Sequence, residues 1–183
     1  MELNEQKRKS MFLVVLMGCI ITSLLSTAMT TALPLIMESF RVTASVGQWL
    51  TSAFSLVVAI VVLASAWLIK RFPTKKLYTS ALALFSAGLL MDALAASFPM
   101  LLLGRILQAC GNGVLMSLSQ VVLLTIYPPD RRGAAMGMYG LAVGAAPVVS
   151  PTLAGLVADL FGWRMIFIFA FVFSVISLIL AGI

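Results

Sequence analysis

Six apolar runs fill almost the whole of this 183-residue chain, at about Met11–Met37, Val46–Ile69, Leu77–Ser97, Met100–Ile126, Gly133–Ala158 and Trp163–Ile183. Each is long enough to cross about 30 Å of hydrocarbon as a helix rising about 1.5 Å per residue. With 62% hydrophobic and 10% charged residues, the chain carries more apolar surface than a water-facing domain can bury. The mean hydropathy of +1.12 makes the same point. Inside hydrocarbon every backbone polar group must be satisfied within its own segment, so these runs predict helices. The expected fold is an all-α integral membrane bundle of six transmembrane helices over residues 11–183, behind a cytoplasmic tail over residues 1–10.

Lys7-Arg8-Lys9 precede the first run, and Ser26-Thr27-Ala28 resembles a signal-peptide cleavage site. The apolar stretch continues to Met37 and five more runs follow, which reads as an uncleaved signal anchor. With the N-terminus in the cytoplasm, Lys7, Arg8, Lys9, Lys70, Arg71, Lys75, Lys76, Arg131 and Arg132 all fall inside, and only Arg41 and Arg164 outside. The net charge of +6 therefore belongs to cytoplasmic loops and does not point to nucleic acid. Both ends are expected in the cytoplasm. The last span stops at Ile183 with no basic tail, which suggests that the chain is half of something. Cys19 and Cys110 lie within apolar runs, so neither a disulfide framework nor a metal site is indicated. The absence of histidine removes the commonest general base and metal ligand. No cofactor, no metal and no enzymatic activity are expected.

The fifth run, GAAMGMYGLAVGAAPVVSPTLAG, holds Gly133, Gly137, Gly140, Gly144, Pro147, Pro151 and Gly155. At about 100° per residue they stay inside an arc of roughly 80°. An interior glycine costs a soluble helix about 1 kcal/mol and a proline about 3, whereas a membrane tolerates both. Two readings stand: a tight packing face only, or a bending, closely packed helix of a transporter whose conformation turns on Gly140, Gly144, Pro147, Pro151 and Gly155.

Polar residues within the spans also form stripes. Ser23, Ser26, Thr27 and Thr30 share a face of the first span, Gln48, Thr51, Ser52 and Ser55 a face of the second, and Arg105, Gln108, Asn112 and Ser119 a face of the fourth. Single serines and threonines in a span commonly bond back to their own helix. Together the stripes predict a shared water-filled cavity between spans one, two and four. Its candidate substrate contacts are Ser26, Thr27, Thr30, Gln48, Gln108 and Asn112. Arg105 lies about 10 Å from the turn near Phe98 and costs several kcal/mol at depth unless it faces water, a partner or a carbonyl. The other reading of Arg105 is a side chain snorkelling to the interface. Asp92, the one carboxylate clearly inside a span, sits at similar depth on span three. The two are expected to pair, or to exchange water, and are the candidates for proton coupling; a partly wet structural role for Asp92 stays open.

At these residues the chain resembles the major facilitator superfamily, in its fourteen-span drug:proton antiporter branch. The likeness covers nearly all of the chain, as the N-terminal six-helix half with its 3+3 inverted repeat. The glycine–proline run is similar to the antiporter signature of the fifth span, with Ser150 and Ala154 where that branch often has glycine. Arg105-Ile-Leu-Gln108-Ala-Cys-Gly111 resembles the fourth-span motif, whose arginine the family places in the proton-transfer region. Gln48-Trp49, Ala32-Leu33-Pro34 and Trp163-Arg164 are also typical. In two places the chain departs from the pattern. The loop after span two keeps basic Lys70, Arg71 and Lys75 but lacks the family's acid and both glycines, and Leu25 stands where the branch commonly has an Asp.

The resemblance implies efflux of small lipophilic or amphipathic compounds coupled to proton antiport, by a half-length or truncated transporter in a bacterial cell membrane. The implied partners are the lipid bilayer, protons, the substrate, and a second six- or eight-span half or a homodimer. The competing reading is a transport-inactive six-span fragment or helix-bundle interaction partner. A channel is not excluded.

Overall fold

The structure, a computed structural model, describes residues 5–182. Among these residues seven helices follow one another: α1 (Glu5–Phe40), α2 (Ala44–Gly47), α3 (Trp49–Arg71), α4 (Thr74–Ala93), α5 (Phe98–Ile126), α6 (Pro129–Phe161) and α7 (Arg164–Gly182). Among the described residues there is no strand. Residues 1–4, Ile183 and the side chains of Lys7 and Lys9 lie outside the described residues, and with them part of the basic tail and the chain's end.

Six long helices correspond to the six apolar runs. Among the described residues, five spans are long and apolar enough to cross a membrane, with Ala44–Arg71 counted as one. The exception is α4, which carries Lys75 and Lys76 in its first turn and Asp92 in its last. At 20 residues it still reaches about 30 Å. It packs between α5 and α7, so neighbouring helices cover much of the surface that composition leaves less apolar. Most boundaries differ from the expected spans by a few residues, as where α1 begins at Glu5 rather than Met11, and two differences change the turns. The third span ends at Ala93, not Ser97: the Leu94 N–H bonds the Leu90 carbonyl, and the residues after it turn into α5. The second is interrupted at Gln48, which ends α2 and precedes α3.

Local chemistry explains the helix ends. Pro99 lies in the first turn of α5 and Pro129 in that of α6, where the missing N–H has no intrahelical partner to lose. Gly162 (φ 85°) closes α6 with its N–H on the Ala158 carbonyl at 2.9 Å. Arg41 closes α1 in the same left-handed region (φ 52°), with the Val42 N–H on the Met37 carbonyl at 3.0 Å. This is the six-to-one closure that glycine normally makes without strain.

Close helix packing is concentrated on α5. A Cβ at Gly88 of α4 would meet the Gly104 carbonyl at 2.6 Å and the Gln108 backbone nitrogen at 2.8 Å. One at Gly111 would meet the Ala81 carbonyl at 2.5 Å, and one at Gly113, on another side of α5, the Val61 side chain of α3 at 2.9 Å. The glycine face of α6 behaves otherwise. A Cβ at Gly133, Gly137, Gly140 or Gly144 would meet nothing within 4 Å, and one at Gly155 only Thr31 at 3.9 Å. The packing expected of this face is therefore not made within the chain, because α6 lies on α1 through Ala146, Ser150, Ala154 and Ala158, on a different side of the helix.

One of the α6 prolines, Pro147, is accommodated by α1. Pro147 has no N–H for the Val143 carbonyl, and the Ser23 hydroxyl donates to that carbonyl at 3.0 Å. One turn on, the Ser150 hydroxyl donates to the Leu24 carbonyl of α1.

Candidate functional site: a sealed polar chain between α4 and α5

Arg105 and Gln108 are one turn apart on α5, and Asp92 faces them from the last turn of α4. Arg105 Nη1 donates to Gln108 Oε1 at 2.8 Å, and Gln108 Nε2 donates to Asp92 Oδ2. The amide suits this place because it accepts at one end and donates at the other, between a group that only donates and one that, when ionised, only accepts. The expected Asp92–Arg105 pairing is thus relayed through Gln108; among the described residues the two form no direct ion pair.

The chain is shut off from solvent. Asp92 and Gln108 are 0% exposed and Arg105 is 1% exposed. The Phe54 ring of α3 covers the guanidinium, with Cζ 4.1 Å from the ring centroid. Gly88 and Gly104 let the two backbones close around the chain; a side chain at Gly104 would collide with the Asp92 carboxylate. A hydrogen bond to a charged group contributes about 1.5–3 kcal/mol. A desolvated cation–π contact contributes about 2. Together these offset much of the several kcal/mol that an arginine at this depth costs. Within this polar chain, Asp92 Oδ1 and Arg105 Nε make no hydrogen bond among the described residues.

Arg105 and Gln108 therefore do not line a vestibule: Phe54 and the glycine contacts occupy the space that water would need. Asn112, one turn further along α5, is buried at 8% exposure. Ser26 and Thr30 are exposed on α1, and Thr27 is half-buried. Gln48 is exposed and stays local, its carbonyl accepting from the Thr51 hydroxyl at 2.9 Å. Of the six candidate contacts, Gln108 and Asn112 are thus buried in α5, while Ser26, Thr30 and Gln48 are exposed and Thr27 is half-buried. Gly140, Gly144 and Pro151 are exposed, and Pro147 and Gly155 half-buried. Lys70 and Arg71 are exposed at the end of α3, with Arg71 over the Trp67 ring, and Lys75 is exposed at the start of α4.

Phe54, Gly88 and Gly104 were not singled out from sequence. Spacing held the signal for the glycines: Gly88 precedes Asp92, and Gly104 precedes Gln108, by four residues. Each glycine thus stacks one turn from the polar side chain of its own helix and makes room for the one on the facing helix, Gly88 for Gln108 and Gly104 for Asp92.

The family model described as Major Facilitator Superfamily matches residues 15–183. The Bacillus subtilis protein described as the uncharacterized MFS-type transporter YcnB is 44% identical over 170 residues, covering 93% of this chain and 36% of that protein. The lincomycin resistance protein LmrB of the same organism is 39% identical over 153 residues, covering 84% and 32%. A crystal structure of the peptide transporter POT in complex with sulfate superposes with a TM-score of 0.84 at 17% identity, covering 95% of this chain and 37% of that one. The chain thus spans about a third of the length of the relatives it matches.

Proposed function

The chain belongs to the Major Facilitator Superfamily, and on that premise we propose that it forms the first six-helix half of a proton-coupled exporter of lipophilic or amphipathic compounds. The observation that carries this reading is the Arg105–Gln108–Asp92 chain, a set of charged groups held inside the membrane at a cost that a purely structural bundle has no reason to bear. Transporters of this architecture rock two helix bundles about a site near the midplane. In the proposed cycle Asp92 takes and releases the proton. Gln108 relays the change to Arg105, and Phe54 moves with α3 to admit or exclude water. The second half docks on the open glycine face of α6, and the exposed hydroxyls of Ser26 and Thr30 meet substrate between the halves. The excess of basic residues in the loops around residues 70–76 and 131–132 supports an N-terminus in the cytoplasm of a bacterial cell. The resistance phenotype in the name of LmrB supports small-molecule export.

The test is dye efflux from cells lacking their own exporters, carrying this chain alone or fused ahead of the C-terminal part of YcnB. Efflux that stops with a protonophore, with Arg105→Ala and with Asp92→Asn is expected in the fused form. Efflux that ignores the protonophore and both substitutions overturns the reading, and so does a fused protein that reaches the membrane intact and moves nothing.

A further inference from the structure

The three apolar helices α1, α6 and α7 do not close fully on one another. Between them lies a cavity of about 260 Å³, whose walls include Leu25 and Ala28 of α1, Leu153 and Ala154 of α6, and Phe173 of α7. Its one polar lining side chain, Ser150, already donates to the Leu24 carbonyl. A buried water needs two to four polar partners, and these walls offer almost none, so the space excludes water. An engineered apolar cavity of about 150 Å³ takes up benzene, and this one has room for a longer hydrocarbon.

Position decides which hydrocarbon. Leu153 and Phe173 at the rim are 52% and 53% exposed and open outward between α6 and α7, inside the spans. On α6 the lining residues Ser150, Leu153, Ala154 and Val157 centre about 120° around the helix from the glycine face. A bundle docked on that face leaves this mouth to the bilayer, where acyl chains are the concentrated species. We propose that the α1–α6–α7 cavity is a lateral binding site for one acyl chain of a membrane lipid. The site is separate from the Arg105 chain, and only the exposure of its mouth to the bilayer rests on the proposed docking at the glycine face.

Photo-crosslinking tests it. Phosphatidylcholine with a diazirine midway along one acyl chain is built into nanodiscs holding the 183-residue chain, and labelled residues are mapped by mass spectrometry after illumination. Leu25, Ala28 and Ala154 are 3%, 5% and 5% exposed, beyond the reach of lipid that merely coats the bundle. Label is expected on all three, at yields comparable with exposed Leu160. Ala154→Phe fills the cavity and displaces about two methylenes of guest, so label at Leu25 and Ala28 is expected to fall about tenfold while Leu160 is unchanged. Ala170→Leu is a second filling variant should the first not insert, and the Leu160 label reports insertion of each. Label confined to exposed residues overturns the proposal. Label at Leu25 and Ala28 that persists in an inserted filling variant overturns it too.

Discussion

Replacing Gln108 with leucine would leave a buried arginine and a buried aspartate with nothing between them. The glutamine makes two hydrogen bonds to charged groups, to Arg105 at 2.8 Å and to Asp92. At about 1.5–3 kcal/mol each, the gross loss is about 3–6 kcal/mol. Two effects reduce it. Leucine restores apolar burial of similar volume, and the unfolded chain in a membrane finds other polar partners, which brings typical intramembrane couplings down to about 0.6 kcal/mol with a ceiling near 1.7. Charge on both partners places this case at the upper end. The expected net destabilisation is about 2–3 kcal/mol, and a cycle with Asp92→Asn should give a coupling of about 1–2 kcal/mol. Reversible unfolding in bicelles, by added SDS or by steric trapping, reads both quantities. A cost below about 0.5 kcal/mol, or strict additivity with Asp92→Asn, would refute the argument that the amide holds the chain together.

The same unfolding assay separates the two kinds of glycine. Gly88→Ala forces backbones apart and should cost about 2 kcal/mol, whereas Gly140→Ala meets nothing within 4 Å and should stabilise the chain by up to about 1 kcal/mol. Loss of stability in both would show that the α6 face is packed after all. Ser23→Ala strips the Val143 carbonyl of the donor that stands in for Pro147, at an expected cost of about 1 kcal/mol; an unchanged midpoint would mean that water or another group takes its place. Arg41→Gly relieves a left-handed backbone at the end of α1 and should raise stability by about 0.5–1 kcal/mol, and a fall in the midpoint would count against the strain.

The six helices were legible because hydrocarbon leaves the backbone no other way to satisfy its polar groups. Their ends were less so. Leu94, Ala95 and Ala96 are as apolar as the helix before them, so hydropathy could not see the chain turn at Ala93. Counting residues from the turn puts Asp92 and Arg105 at one depth, and the hydrogen bonds through Gln108 join them. The count could not say whether the Arg105–Gln108 stripe faces water or another helix, since either neighbour satisfies a polar group. Gln108 was therefore taken for a cavity wall when it is the link between the charges. On α6 the composition signalled close contact, but a face can be shaped for a neighbour that these 183 residues do not supply.

The bare side of α6 has a thermodynamic consequence. Docking ordinarily immobilises side chains, at about 0.5–1.5 kcal/mol for each rotamer-rich one. Gly133, Gly137, Gly140 and Gly144 have no rotamers to freeze, and their backbone is already ordered in a helix. A neighbouring helix laid there would forfeit little entropy on arrival and recover little on leaving, so contact across this surface can be made and broken repeatedly.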